Sequence, residues 1–516
     1  MKNFETNIKR ISMKIDYHKL IFTFLVTVII GLIAHAYCYL NLNLSHDSLA
    51  CLISTGGGGS YYQNGRFLRP IYQIIKCYWE LPWLNGLLSI TYFSLAMYFV
   101  NDALGIDKKN HIIISCGLLV TCSSISLLNA TYLHDADSYI LAFLFTSLGL
   151  WISRNFNRGR IISIPFFIVS LGLYQAYIQV AIIVYIILFV FDVLDGNDLK
   201  NSLLKLMLDA ITIILSMVAY YAICSLLLSI NNIEKVGEYN SVSLVTSSFI
   251  STLLDKIYNT LVFDAAWFIY PNANKPTLIL VFNILLSIAA LFSMILIIKK
   301  KRIKALNIVT LCFILLLTPF AINAITLISG ISHALTFFSL YFCYIFAFLL
   351  IRTANTLFDF SSIKKIYSLC IILLSLMIVD NCIFSNRLYL QKELVSQNTL
   401  STMTRIIDRI EQVEGYEVGK TEVALIGQLE WSNLANKRDF IIDYNLATGM
   451  DYYFSPTYYG GFATYFQTYL GYPINLLSEK ESKRFKDYKE VKSMKSFPYS
   501  DSCKIIDGVL VIKLSD

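Results

Sequence analysis

The sequence predicts an all-α polytopic membrane protein with about eleven transmembrane helices and a small α/β domain at its C-terminal end. Two global observations point that way. Of its 516 residues 56% are hydrophobic and only 15% charged, with a mean hydropathy of +0.59, whereas a soluble domain carries about 25% charge. The charge is also unevenly placed: it is missing from long stretches and crowded into the gaps between them, as in helices that cross lipid and are joined by polar loops. A third, local observation is the change of character near Ser385, where long apolar runs give way to amphipathic and alternating patterns.

The first apolar run, Ile21 to Leu40, is long enough to cross roughly 30 Å of hydrocarbon. Ala34-His35-Ala36 has the look of a signal-peptidase site, but the run is too long for a cleaved signal and further spans follow at once, so an uncleaved anchor is expected. Further spans are expected at about Leu84–Val100, Ile112–Ala130 and Ser138–Ile152. Ile161 to Leu194 exceeds one helix, and the polar pair Tyr174-Gln175 near its middle predicts a hairpin of two short helices. The remaining spans fall at about Leu206–Ile230, Thr277–Ile298, Leu306–Ser329, Ala334–Ile351 and Ile366–Ile383.

The positive-inside rule tests this count. With the N-terminus inside and strict alternation, the inside segments hold twenty lysines and arginines, among them Lys108, Lys109, Arg154, Arg158, Arg160, Lys200, Lys205, Lys299 to Arg302, Arg352 and Lys364. The outside loops hold six: Arg66, Arg69, Lys76, Lys235, Lys256 and Lys275. Treating Ile161–Leu194 as a single span would put Lys299–Lys304 outside, so the charge count supports the hairpin. Everything after Phe384 is then outside. Two domains follow: residues 1–384 in the membrane, and residues 385–516 as an outer α/β unit. In the latter, Arg387–Glu414 reads as an amphipathic helix with Leu388, Leu390, Ile406, Ile407 and Ile410 on its apolar side. Thr421–Gly427 and Asp507–Leu514 read as strands.

The net charge of +7 does not indicate nucleic acid, because the basic residues flank spans rather than forming one face. Most of the 11 cysteines lie in apolar segments as small hydrophobes, and no CxxC occurs, which argues against a metal cage. Ionisable residues within spans are scarce, with Asp209 and Asp380 near span ends. That argues against an ion-coupled transporter, whose charges sit near the midplane.

Sorted by side, the chemistry-bearing residues fall on the outer face. His46-Asp47 follows the first span. A carboxylate at the lipid–water boundary suits a general base; the alternative is a solvated or capping aspartate. The short loop Thr131–Asp137 repeats that chemistry in His134, Asp135 and Asp137, one of which is also a natural N-cap for the span beginning at Ser138. Arg66 and Arg69 are the only arginines in the outer loops before residue 384; their guanidinium forks suit phosphate, or they snorkel. Tyr174 and Gln175 at the hairpin tip suit a sugar, or belong to an aromatic belt. His333 lies at a further outer span end. A tyrosine-dense stretch, Asp451 to Tyr472, is either a carbohydrate contact or the core of the outer domain.

An outer aspartate after span one, a second acidic pair in the next outer loop, and a many-helix body ending in a small outer domain resemble the GT-C glycosyltransferases. Gly65-Arg66-Phe67-Leu68-Arg69-Pro70 and Ser170-Leu171-Gly172-Leu173-Tyr174-Gln175 are similar to segments of the phage-borne O-antigen glucosyltransferases of serotype conversion. The resemblance implies a bacterial inner-membrane enzyme with a cytoplasmic N-terminus and a periplasmic C-terminal domain. Its donor would be a sugar, glucose above all, on undecaprenyl phosphate, and its acceptor a hydroxyl of lipid-linked O-antigen. It implies Asp47 as catalytic base, with Asp135 and Asp137 as the second acidic motif. His46, His134, Arg66 and Arg69 are then candidates to stabilise the leaving phosphate. No cofactor is required, although two acidic clusters are able in principle to hold one divalent ion. Membrane lipid is a further expected partner. The rival readings are a flippase for lipid-linked sugars, which would not need Asp47, and an O-antigen polymerase, against which the weakly basic Asn231–Pro276 loop counts.

Overall fold

The computed structural model describes residues 14–42, 58–76, 81–233, 253–269, 278–324, 327, 334–427 and 459–516. Within them, nine helices are long and apolar enough to cross a membrane, and two shorter apolar helices, Lys109–Val120 and Gly159–Leu173, accompany them. The chain is a multi-pass membrane protein.

In chain order the membrane helices are α1 (Tyr17–Leu40), α4 (Pro82–Ala103), α5 (Lys109–Val120), α6 (Ser123–Asn155), α7 (Gly159–Leu173), α8 (Ile178–Leu194), α9 (Leu199–Ile230), α11 (Leu278–Lys301), α12 (Ala305–Ile322), α13 (Phe342–Leu357) and α14 (Ser361–Glu411). Two short helices, α2 (Gly58–Gln63) and α3 (Arg69–Ile75), lie between α1 and α4, and α10 (Leu253–Ile269) precedes α11. The hairpin expected within Ile161–Leu194 is present. Tyr174 leaves the helical region (φ −157°, ψ 119°) between α7 and α8. The two far ends then return to one level, where Arg160 pairs with Asp209 (2.6 Å) and Asp192 with Lys205 (2.7 Å).

The basic loops grouped by the charge count meet at one end of the bundle. Lys19, buried in α1, bonds Asp102 at 2.9 Å and Asp107 at 2.6 Å, and the Trp151 indole donates to the other oxygen of Asp102 at 2.8 Å. Lys301 pairs with Asp195 at 2.6 Å, and Arg352 donates to the Gly105 carbonyl. The Lys19–Asp102 pair satisfies an ammonium that would otherwise be costly to bury.

Three expected boundaries move. The span expected at Ile112–Ala130 breaks at Thr121–Cys122, between α5 and α6. His35 closes the break: its Nε2 lies 2.8 Å from the Val120 carbonyl and its Nδ1 2.7 Å from the Tyr389 hydroxyl. A carbonyl only accepts, so Nε2 donates and Nδ1 receives the phenolic proton. The span expected at Leu306–Ser329 ends as an α-helix at Ile322, just after Pro319. The last span and the amphipathic tail helix are not separate elements: α14 runs unbroken for 51 residues, about 77 Å at helical rise. Leu388 is buried on it, but Leu390 faces outward.

α14 carries the chain into the C-terminal domain. There four strands form a mixed sheet in the order β2 (Asn475–Leu476), β1 (Glu422–Ile426), β4 (Val509–Lys513), β3 (Cys503–Ile506), with β1 parallel to both neighbours and β3–β4 antiparallel. The β3–β4 turn is Asp507-Gly508, both at positive φ, the conformation that closes a two-residue hairpin. Met403, Ile406 and Ile410 from the end of α14 pack with Phe462 and Phe466 on one face of the sheet, and Val491 and Met494 cover the other. The two strands expected from sequence are present; β2 and β3 are additional.

α1 and α4 approach closely at Gly86, where a Cβ would lie 2.2 Å from the Tyr39 ring. Tyr39 is buried and its hydroxyl accepts from Asn129, so it has little freedom to retreat. Gly86→Ala is expected to destabilise the bundle by about 1–3 kcal/mol, read as a lower unfolding temperature in detergent. An unchanged temperature would show that the helices slide apart at no cost.

Candidate functional site

At the end of the bundle away from Lys19, the chain assembles a buried charged cluster from three segments distant in sequence. The first is the stretch from α2 into α3. Gly65 sits at φ +72°, and the Gly65 and Arg66 amides donate back to Tyr62 and Tyr61, ending α2. This turn projects Arg66 and Arg69 on either side of Phe67. The second segment is the α7–α8 hairpin tip. The Leu68 amide donates to the Gly172 carbonyl at 3.0 Å, and the Gln175 amide nitrogen donates to the Asn64 carbonyl at 2.7 Å and the Tyr220 hydroxyl at 2.8 Å. The third is α6, whose helix is broken at Tyr132 (φ −130°, ψ 41°).

That break corrects an expectation. His134, Asp135 and Asp137 do not lie in a loop, and neither aspartate is an N-cap. They occupy the first turn of helix after the kink and are buried. Carboxylates there gain from the positive end of the helix dipole, and each has cationic and neutral donors around it. Arg69 bonds Asp135 Oδ1, which also accepts from Gln73 at 2.9 Å, while Oδ2 lies 3.1 Å from His134 Nε2. Lys76 contacts both oxygens of Asp137 at 2.9 and 3.1 Å and donates to the His134 carbonyl at 2.6 Å. The Tyr72 hydroxyl donates to Asp137 Oδ2 at 2.9 Å; burial, and next the Asp137 charge, push its phenol well above the ordinary range. Both carboxylates are saturated by protein donors, two of them cations standing where a divalent ion would have to sit. They therefore do not offer a metal cage, and no group of three metal-ligating side chains gathers among the described residues.

Arg66 is placed differently. Its guanidinium lies 5.2 and 5.1 Å from the ring centres of Tyr139 and Tyr174, themselves stacked at 4.0 Å and 7°, and it donates to the Tyr139 hydroxyl at 2.7 Å. It has no carboxylate partner among the described residues, and its Nε is buried without a hydrogen bond. Among the described residues the site thus holds one cation whose charge is not neutralised by an acid, beside an acidic pair that is fully engaged.

Arg66, Arg69, His134, Asp135, Asp137, Tyr174 and Gln175 are brought together. His46, Asp47 and His333 lie outside the described residues, as do residues 451–458 of the tyrosine-dense stretch; in its described remainder Phe462, Tyr465 and Phe466 are buried in the C-terminal core. Gln73, Tyr72, Lys76 and Tyr139 were not singled out from sequence. Of these only Lys76 carried a signal, as the third of three basic residues in an otherwise uncharged stretch of outer loop.

A further acid lies at the same end. Asp264 of α10 accepts from Asn323 Nδ2 at 3.0 Å, and its other oxygen is buried without a partner. Burial pushes its carboxyl up to about 7.

The class of protein defined so far is a multi-pass membrane protein with a buried cluster of charged and aromatic side chains at one end. The comparison with known families narrows it. The chain belongs to the glucosyl transferase GtrII family, whose model matches residues 36–352. It is a membrane glucosyl transferase. No curated protein matches it, and no solved structure does. The matched region includes the kink, the hairpin tip and the arginine turn, and ends before α14.

Two predictions follow from the cluster's electrostatics. Lys76→Met strands the fully buried Asp137 without its cation and is expected to cost about 3–5 kcal/mol, whereas Lys76→Met combined with Asp137→Leu costs less than the single change. Unfolding in detergent measures both, and equal or greater loss in the double variant would refute the pairing argument. For Asp264 the folded protein holds its proton more tightly than the unfolded chain, whose aspartates titrate near 3.9. Its contribution is therefore most favourable below about pH 4 and is lost as pH rises toward about 7. Asp264→Asn is expected to raise the unfolding temperature at pH 8 relative to wild type and to leave it nearly unchanged at pH 4; a gain confined to low pH would reverse the assignment.

Proposed function

We propose that the chain transfers glucose from undecaprenyl phosphate to a hydroxyl of lipid-linked O-antigen, at the periplasmic face of a bacterial inner membrane, with inversion at the anomeric carbon. The observation that carries this reading is Arg66, a guanidinium held beside the stacked rings of Tyr139 and Tyr174 at the bundle end, with a donor to spare and no carboxylate to satisfy it among the described residues. A phosphate monoanion or phosphodiester complements such a group with parallel charge-assisted hydrogen bonds. Tyr174 and Tyr139 supply an apolar face beside it.

In the proposed step the acceptor hydroxyl oxygen attacks the anomeric carbon opposite the phosphate. Asp47 takes the hydroxyl proton, the bond from carbon to phosphate oxygen breaks, and the electron pair leaves with the polyprenyl phosphate. Arg66 stabilises the charge that develops on that phosphate. Asp135 and Asp137 are not bases in this scheme, since every oxygen they present is already bonded. They fix Arg69, Lys76 and His134, and through these the shape of the site. Positive-inside charge supports the orientation, with the N-terminus cytoplasmic and the C-terminal domain periplasmic.

Glucosyl transfer from undecaprenyl phosphate glucose, measured in membranes containing lipid-linked O-antigen, tests the scheme. Asp47→Asn is expected to lower transfer by about 100-fold or more at unchanged protein level. Undiminished transfer would remove Asp47 from the mechanism.

A further inference from the structure

The acidic site depends on an angle in α6, and that angle is held from outside. Kinks in membrane helices persist where other groups satisfy the backbone that the break disturbs. Around Tyr132, three carbonyls each accept from a side chain of a different element. Asn85 of α4 donates to Leu133 at 3.2 Å, Lys76, just past α3, to His134 at 2.6 Å, and Lys392 of α14 to Ala130. Lys392 is buried and lies beyond the region that the family model matches.

We propose that Lys392 is a positioning residue for the glucosyl transfer site, through which the long C-terminal helix sets the direction of the segment bearing Asp135 and Asp137. Three features support it. The Lys392 ammonium sits at the C-terminal end of the helical segment Ser123–Thr131, where a cation complements the helix dipole. It belongs to one continuous face of α14: Ser385 bonds Ser126 at 2.6 Å, Tyr389 bonds His35 at 2.7 Å, and Lys392 donates to the Ala130 carbonyl. The spacings of four and three residues put all of them on one stripe, so α14 tracks the approach to the kink. Eleven residues further on, about 16 Å along the axis, the same helix contributes Met403 to the core of the C-terminal domain. One rigid element therefore joins that domain's core to the kink beneath the acidic pair, and displacement of the domain reaches the site through Lys392.

The activity arm of the test rests on the proposed transfer reaction; the structural arm does not. Purified full-length Lys392→Met and Lys392→Arg proteins, shown to fold by their elution and unfolding profiles, are compared with wild type for kcat and KM. Amide hydrogen exchange is followed across residues 128–138. Lys392→Met is expected to lower kcat by about 10- to 100-fold, the scale of a small misplacement of reacting groups, with KM changed less than threefold and exchange accelerated across the kink. Lys392→Arg, which keeps the cation, is expected to recover most of kcat. The proposal is overturned if Lys392→Met keeps wild-type kcat and exchange, or if Arg recovers no more than Met. Should the wild type show no transfer from undecaprenyl phosphate glucose while exchange still responds to Lys392→Met and not to Lys392→Arg, the positioning role stands and the reaction reading fails. If Met does not fold, the Arg variant alone decides: a loss of kcat tenfold or more with normal exchange overturns the proposal.

Discussion

The ion pairs buried beneath the kink of α6 are the constraint on which the site depends. Asp135 and Asp137 are buried in the first turn after Tyr132, in surroundings where an unpaired carboxylate would cost several kcal/mol. The fold therefore has to bring cations to them, and both come from the segment between α1 and α4. Arg69 and Lys76 bracket α3 and are drawn inward, which anchors a segment that would otherwise lie on the surface. The same turn then delivers Arg66 to Tyr139 and Tyr174 at the hairpin tip, where Gly172 and Gln175 bond the turn's backbone at Leu68 and Asn64. Charge neutralisation in one place leaves, among the described residues, a cation without an acid in another, and in the proposed scheme the second is what the anionic substrate uses.

The membrane topology was legible in the sequence because two independent constraints act on it. Hydropathy marks the spans, and lysine and arginine mark one side. The length of Ile161–Leu194 and its polar pair predict a division that the charge count supports, and the structure shows the break at Tyr174, where the polar pair begins. The extent of α14 was not legible. Asn381, Ser385, Asn386 and Arg387 look like the end of a span, yet a helix leaving the membrane has no reason to stop where its surroundings become polar. Ser385 and Asn381 are buried and the helix simply continues, exchanging a lipid-facing surface for a domain core at Met403.

The site was legible in residue type and not in geometry. His134-Asp135-Ala136-Asp137 between two apolar runs reads as a loop, because a membrane helix does not normally begin a few residues after another ends. A single non-helical residue, Tyr132, suffices here, and nothing in its local sequence announces it: neither Gly nor Pro is present. What makes the turn possible is tertiary, namely the donors of Asn85, Lys76 and Lys392 on the surrounding carbonyls. Gln73 and Tyr72 were invisible for a related reason, since their role is defined only by what faces them across the bundle. The pairing of the arginine turn with the hairpin tip, by contrast, joins the two short segments whose resemblance to the family was visible beforehand.

The division of labour among the acids follows from counting their hydrogen bonds. A general base needs an oxygen able to take a proton from substrate, and Asp135 and Asp137 present none. Their neighbours would have to move before either acted, at the cost of exposing Arg69 or Lys76 unpaired in an apolar setting. The pair is therefore better suited to holding a shape than to exchanging protons. In the proposed scheme the role of base falls instead to Asp47, on the chain that leads from α1 toward α2. An active site arranged this way separates the charges that fix its geometry from the charge that reacts. The first set can then be buried and permanent, and Asp135 and Asp137 meet that condition.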